Sequence, residues 1–374
     1  MKKSLNFILL IGLVALIFAG CASEEAAPTG LQVDKGTVHA HPDAFMAGIG
    51  DTTSSLYYVY TPPGYDAANE YPVIYLLNGF GGNENYFVAL FSAVDAADWL
   101  LARHEIDPMI LVFPSGHTQM GGSFYTNSPH PAVGQSEQHI LNIITEVDVN
   151  YSTIATPAGR AIGGHSMGGF GAMSIALNNP NTFGNVSVLS GPLVFDVVKA
   201  LLPTALAETG YDTILAQTGP DAAAFQVMMY PSPDRRVTSM MFAHAAAFSF
   251  TAVPGPTTIA AYGVDLPIGI DGQIYDPTWN RWLSYDPLSR FIGGSAASLA
   301  GVNVFLDCGS ADDLYLHLAH QGFAQALTAA GMTPDVDTYY NTFDTPEGNT
   351  IPADHSTQIY EQLKKLLVWN SSKF

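Results

Sequence analysis

Cysteine is nearly absent from this 374-residue chain, which has only Cys21 and Cys308. No internal disulfide framework can be built if Cys21 is used otherwise, so stability has to come from a buried apolar core. Positive charge is scarce as well: 13 Lys and Arg stand against 33 Asp and Glu, a net charge of −20. A surface of that sign repels nucleic acid and anionic lipid headgroups, which removes both as expected partners. The chain lacks a GxxxxGK[ST] phosphate loop and a GxGxxG turn after a first strand, so no nucleotide cofactor is expected. His39-Ala40-His41-Pro42-Asp43 has metal-ligand residue types but lacks the further ligands of a closed or catalytic site, and no metal is expected there.

The leading apolar run, Leu5 to Ala19, falls short of the roughly 20 residues that a membrane span needs. It follows Met1-Lys2-Lys3 and ends in Phe18-Ala19-Gly20-Cys21, which is similar to a bacterial lipoprotein signal and its cleavage box, although Phe18 is an unusual first residue. The expectation is a signal peptide over residues 1–20, lipid attachment at Cys21 and a flexible tether over 21–30. The protein would then be secreted across the inner membrane and lipid-anchored to the cell envelope. Plain secretion and an uncleaved helix are the alternatives. Loss of Lys2 and Lys3 would leave a mature chain of charge −22.

What is abundant is apolar surface, at 48% of residues, enough for one large core over residues 31–374. Ser54–Thr61, Tyr71–Leu77, Met109–Phe113, Ala158–Gly163, Val186–Leu189 and Val302–Leu306 are short runs closed by Gly, Pro or Ser, the pattern of strands buried on both faces. Helix-like stretches, among them Tyr86–His104 and Gln135–Asn150, lie between several of them, and Asp344–Ala353 reads as a loop. Such alternation predicts an α/β fold, a mostly parallel central sheet with helices on both faces. Residues 195–290 break the rhythm with frequent prolines and no clear strand. They read as a cap-like insertion over the carboxyl edge of the sheet, ahead of the last of these strands, where α/β sites open.

Gly164-His165-Ser166-Met167-Gly168 sits between a strand-like and a helix-like segment, the context of a nucleophile elbow. A serine hydroxyl is a weak nucleophile until a histidine takes its proton and backbone N–H groups hold the oxyanion, so partners are needed. His165 reads as a buttress of the elbow. His317 and His320 lie on a predicted helix, Leu314–Ala330, and read as packing or surface residues; Cys308 reads as a small buried hydrophobe.

Together with the elbow region Gly159–Gly171 (GRAIGGHSMGGFG), the segments Tyr58–Tyr65 (YVYTPPGY), Tyr71–Gly82 (YPVIYLLNGFGG) and Gly121–Ser128 (GGSFYTNS) resemble the putative esterase family of α/β-hydrolases. Esterase D (S-formylglutathione hydrolase), feruloyl esterases and mycobacterial mycolyltransferases belong to it. The resemblance spans about residues 50 to 365 and is weakest across the insertion. It implies the α/β-hydrolase fold, with Ser166 as nucleophile, Asp312 as triad acid three residues after Gly309, and His355 of Asp354-His355-Ser356 as general base. Asp313 stays open as the alternative acid, and both aspartates also suit a helix N-terminus. The resemblance puts oxyanion donors at the N–H groups of Met167 and Phe80, with Asn78 where the family more often has histidine. Tyr125 and Asn127 either line the pocket or hold a loop. Trp279, Arg281, Trp282 and Tyr285 read as cap-to-body packing, with contact to substrate as the alternative.

The function this implies is a serine carboxylic ester hydrolase working through an acyl-enzyme, without cofactor, on a small-molecule or carbohydrate-linked ester. An acyltransferase of the mycolyltransferase type and a non-catalytic surface binding protein on the same fold are the rival expectations.

Overall fold

A computed structural model of the chain describes residues 32–49, 55–208, 235–251, 258–259, 263–269, 271–337, 342–344, 350–352 and 354–374. The expected signal peptide, tether and Cys21 lie outside the described residues. In chain order the strands are β1 (Thr37–Pro42), β2 (Leu56–Thr61), β3 (Val73–Leu77), β4 (Ile110–Phe113), β5 (Arg160–His165), β6 (Asn185–Leu189), β7 (Thr258–Ile259), β8 (Val264–Asp265), β9 (Asn303–Asp307), β10 (Asp335–Asp337), β11 (Thr342–Asp344) and β12 (Thr350–Pro352). The described helices are α1 (Ala44–Gly48), α2 (Ala93–Ala102), α3 (Ser136–Asn150), α4 (Met167–Asn178), α5 (Phe195–Ala207), α6 (Arg236–Phe248), α7 (Asp276–Leu283), α8 (Pro287–Ile292), α9 (Leu316–Ala329) and α10 (Ile359–Ser371).

One eight-stranded sheet, ordered β1-β2-β4-β3-β5-β6-β9-β10, organises the molecule. The β1–β2 and β2–β4 pairings are antiparallel and the others parallel. Side chains alternate across this sheet with period two. Val73, Tyr75 and Leu77 of β3 enter one apolar cluster, and Ile74 and Leu76 enter the other. Helices α2 and α10 cover the second face through Ala97 and Leu363, whereas α3, α4 and α9 cover the first through Ile140, Phe170 and Phe323. Both faces are thus dry, which is why these strands read as continuous apolar runs.

Strand β1 has no such run. Its side chains are exposed or half-buried at the sheet edge, so no apolar pattern marks it. The ligand-like residues of this segment have structural partners: His39 Nε2 meets Thr61 Oγ1 at 3.1 Å, and His41 Nε2 meets Tyr151 Oη at 2.6 Å. Asp43 accepts from the Met46 N–H and caps α1. Among the described residues, no group of three or more His, Cys, Asp or Glu side chains is placed to hold a metal ion.

Three expectations of local structure need correction. The Tyr86–His104 stretch is not one helix: a π-helical turn over Tyr86–Leu90 is separated from α2 by a break at Ser92, with φ of 51°. The insertion contains the short antiparallel pair β7–β8. The segment Asp344–Ala353, expected as a loop, holds β12, which pairs with β11.

Within the insertion, α5 continues through Pro203. Helix α6 is buried from Val237 to Phe248, and so lacks the polar stripe that identifies a surface helix. Phe195 of α5 and Phe242 of α6 join the same apolar cluster as the sheet, which ties the insertion to the body.

His165, His244 and His320 are all nearly inaccessible. Burial lowers the pKa of each, well below the ordinary value for His165 and to about 4 for His244 and His320. The unfolded chain takes up these protons near pH 6.5, so between that pH and about 4 it binds more protons than the folded chain does. Stability therefore falls as pH drops through this window. Urea titrations at pH 7, 5.5 and 4 should show a progressively lower midpoint, and His320→Gln should flatten the slope. A midpoint constant from pH 7 to 4 would contradict this reading.

Candidate active site

The close meeting of β5, α4 and β3 begins the site. Ser166 follows β5 directly and precedes α4, with φ of 55° and ψ of −118°, a strained conformation for a residue with a side chain. Its N–H donates to the Leu189 carbonyl at 2.8 Å, and its carbonyl accepts from Phe170 N–H at 3.0 Å, so hydrogen bonds hold the turn from both sides. Two glycines make the approach possible. A Cβ on Gly168 would stand 1.9 Å from the Leu77 carbonyl oxygen, and one on Gly164 would stand 2.5 Å from the Gly168 carbonyl carbon. The spacing of the motif is thus a packing requirement between backbones.

From this turn Ser166 Oγ meets His355 Nε2 at 2.8 Å, and His355 Nδ1 meets Asp312 Oδ2 at 2.8 Å. All three side chains are buried. Burial alone would raise the Asp312 pKa, but the adjacent His355 ring and the N–H groups of Leu316 and Leu314 outweigh it and hold the carboxyl at about 2. At neutral pH the carboxylate only accepts, so His355 Nδ1 carries the hydrogen that it donates. Nε2 of the neutral ring is then the acceptor that faces the serine hydroxyl.

The alternative acid, Asp313, is exposed and pairs with Arg236 Nη1 of the insertion at 2.8 Å. Cys308 is fully buried, and its thiol lies 3.7 Å from Asp312 Oδ2. Desolvation, with the Asp312 charge adding to it, pushes that thiol well above its ordinary pKa and keeps it from being a competing nucleophile.

Three supports hold this chain of contacts. Asp354 Oδ1 accepts from the N–H groups of Ser356 and Thr357 at 2.9 and 2.8 Å, which shapes the turn carrying His355. His165 Nε2 lies 2.9 Å from the His355 carbonyl oxygen, and its Nδ1 lies 2.8 Å from Tyr86 Oη. A carbonyl can only accept, so Nε2 donates and Nδ1 accepts the Tyr86 hydroxyl hydrogen. Lowered well below the ordinary range by burial and then by the nearby His355, His165 stays neutral in that role. Tyr86 comes from the π-helical turn, a short irregular element that the sequence pattern does not reveal.

The third support is Asn78, the residue that departs from the family pattern. Its Oδ1 accepts from Gly116 N–H at 2.8 Å and from Tyr125 Oη at 2.9 Å. Its Nδ2 donates to the Gly79 and Gly82 carbonyls at 2.9 and 2.8 Å. The amide thereby pins both ends of the turn that carries Phe80. This assigns Tyr125 the loop-holding alternative and not a place in the pocket: it is 1% exposed and its hydroxyl is engaged by Asn78. Asn127 is likewise away from the pocket, an exposed residue whose Oδ1 accepts from Gln138 N–H in the first turn of α3.

A narrow cleft opens at Ser166, enclosing about 340 Å³ between atoms with the solvent at its mouth included. Phe80, Phe124 and Met167 form its body side, and Leu314 and Leu316 come from the segment after Asp312. The opposite wall is from the insertion: Val198 and Leu201 of α5, Met240 and His244 of α6. The aromatic residues expected as cap packing lie elsewhere. Trp282 donates to Ser249 Oγ at 2.8 Å, and Arg281 pairs with Asp265. His320 Nε2 accepts from Gly191 N–H at 2.9 Å, fixing the loop after β6.

Sheet order, elbow and cleft together define an α/β-hydrolase fold with a serine at the strand-to-helix turn. The chain belongs to the Putative esterase family, whose model matches residues 54–360. An esterase of Mycobacterium tuberculosis is 32% identical over 125 residues, covering 33% of this chain and 25% of that protein. An endo-1,4-beta-xylanase/feruloyl esterase of Xylanibacter ruminicola is 34% identical over 140 residues, covering 36% of this chain and 19% of that protein. The chain thus spans a quarter or less of the length of these relatives. A ferulic acid esterase structure aligns with a TM-score of 0.56 at 18% identity, over 91% of this chain and 99% of the other. An S-formylglutathione hydrolase from Agrobacterium tumefaciens aligns with a TM-score of 0.53 at 17% identity, over 91% and 97%. Both share the fold.

The glycine requirement has a direct consequence. Gly168→Ala should lose about 3 kcal/mol or more of stability or fail to fold, because backbone atoms are in the way and cannot rotate aside. Gly48→Ala, with nothing within 4 Å of the new carbon, should be close to neutral. Chemical denaturation of the two variants beside the parent decides this, and equal midpoints would refute it.

Proposed function

We propose that the protein is a serine carboxylic ester hydrolase in which Ser166, His355 and Asp312 act as nucleophile, general base and orienting acid. The observation that carries this reading is the pair of 2.8 Å contacts that run from Ser166 Oγ through the His355 ring to the Asp312 carboxylate. As Ser166 Oγ bonds to the ester carbonyl carbon, His355 Nε2 takes the serine proton and Asp312 stabilises the imidazolium. The oxyanion is held by the N–H groups of Met167, at the first residue of α4, and Phe80. Collapse of this intermediate breaks the bond to the leaving alcohol, which receives the proton from His355 and leaves the acyl group on Ser166. Water then repeats the two steps and frees the acid. The apolar cleft suits a compact acyl group, and the relatives named as esterases and feruloyl esterase favour ester substrates.

Hydrolysis of nitrophenyl esters, from acetyl to long acyl with a feruloyl member, tests the proposal. Ser166→Ala should lower turnover by about 10³-fold or more, and Asp312→Asn by about 10²-fold or more. Asp313→Asn should stay within about twofold, because an exposed ion pair contributes little. Undiminished turnover in Ser166→Ala would overturn the reading.

We further propose that the chain is exported and lipid-anchored to the cell envelope through Cys21. The basic start, the short apolar run and the small residues before this cysteine support it. Expressed in a bacterium with a palmitate analogue, the parent should be labelled and membrane-associated, whereas Cys21→Ala should be unlabelled. Equal labelling of the two would sink this proposal.

A further inference from the structure

Among the described residues, two polar side chains line the cleft, Ser166 and His244. The histidine has no part in the proposed chemistry, yet its state is well defined. It projects from α6, is 1% exposed, and its Nδ1 lies 2.7 Å from the Met240 carbonyl oxygen one turn earlier. That oxygen can only accept, so Nδ1 carries the hydrogen and Nε2 presents a lone pair. Nε2 is itself buried and has no hydrogen-bond partner among the described residues. The ring is held in place: it stacks on Trp282 at 5.4 Å between centroids and packs against Phe124 at 3.9 Å.

A buried acceptor without a partner is costly, and pockets use a few fixed polar groups among apolar walls to choose and orient their ligands. Resting on the esterase reading above, we propose that His244 is a specificity-determining residue, whose Nε2 accepts a hydrogen bond from a hydroxyl group carried by the acyl part of the substrate. A carboxylate or carbonyl at the same place would meet a lone pair with nothing to donate, so the site selects a donor and disfavours acceptors. Burial keeps the ring neutral at physiological pH, so the lone pair is available there. Met240, in the same wall, is an unbranched and adaptable side chain that gives the cleft room to admit a ring or a chain. A phenolic hydroxyl on an arylpropenoyl group and a terminal hydroxyl on an aliphatic acyl chain offer the same donor.

Two matched pairs of nitrophenyl esters separate these sources: 4-hydroxycinnamoyl against cinnamoyl, and 6-hydroxyhexanoyl against hexanoyl. The parent should favour the hydroxylated member of at least one pair by about tenfold in kcat/KM, the value of one well-placed hydrogen bond in a dry site. His244→Phe should bring that ratio to about one. His244→Gln, which places an amide oxygen near the position of Nε2, should keep part of it. Binding of the corresponding free acids to Ser166→Ala, measured calorimetrically, gives a readout without turnover, and the same preference should appear and vanish with His244→Phe. Preference in one pair identifies the acyl class. No preference in either pair, or one that survives in His244→Phe, overturns the proposal. If Ser166→Ala were to hydrolyse the plain esters as fast as the parent, it is the esterase reading that fails, and the calorimetric ratio still judges His244.

Discussion

The contact of two backbones at the elbow is the constraint on which the rest of the site depends. Leu77 at the end of β3 comes so close to Gly168 in α4 that no side chain fits between them. That closeness lets Ser166 sit at φ of 55° while its N–H is satisfied by Leu189. A serine in an ordinary helix or strand would have its hydroxyl among neighbours of its own element. Here the turn lifts it to the carboxyl edge of the sheet, where residues from distant parts of the chain reach it.

Those distant residues are placed by buried or half-buried polar groups, and each has bonding capacity directed at a backbone. His165 holds the His355 carbonyl, Asp354 folds the turn around it, Asn78 pins the Phe80 turn and His320 holds Gly191. Apolar packing alone sets distances loosely. A hydrogen bond to a carbonyl or an N–H fixes direction as well, and a low-dielectric surrounding makes its loss expensive. In this site the side chains in the proposed chemistry are few, and the residues that aim them are more numerous.

The insertion plays a different part. Its helices α5 and α6 join the apolar core of the body and supply one wall of the cleft, including His244, the one polar lining side chain besides Ser166 among the described residues. The proposed chemistry and the wall proposed to select the substrate therefore lie on different stretches of chain. Selectivity can change with α5 and α6 while the elbow, the acid loop and the histidine turn stay as they are.

How much of this was legible in the residues follows from the physics of each element. Strands β3, β4, β5, β6 and β9 are buried on both faces, so mostly apolar runs announce them, whereas β1 is wet at the edge and silent. The elbow is legible because sterics demand glycine at two fixed offsets from Ser166. Chain order and a family resemblance pointed to Asp312 and His355, and the structure brings both to Ser166. The sequence by itself determined the parallel sheet, the turn and the acidic surface, since these rest on local periodicity, local sterics and composition. Only the tertiary structure put Asp312 and not Asp313 against His355, gave Tyr125 to Asn78 and not to the cleft, and put His244 in the wall. Each of those outcomes depends on which side chain meets which across 43 or 47 positions of chain or an insertion without periodic pattern, and no local signal encodes such a meeting.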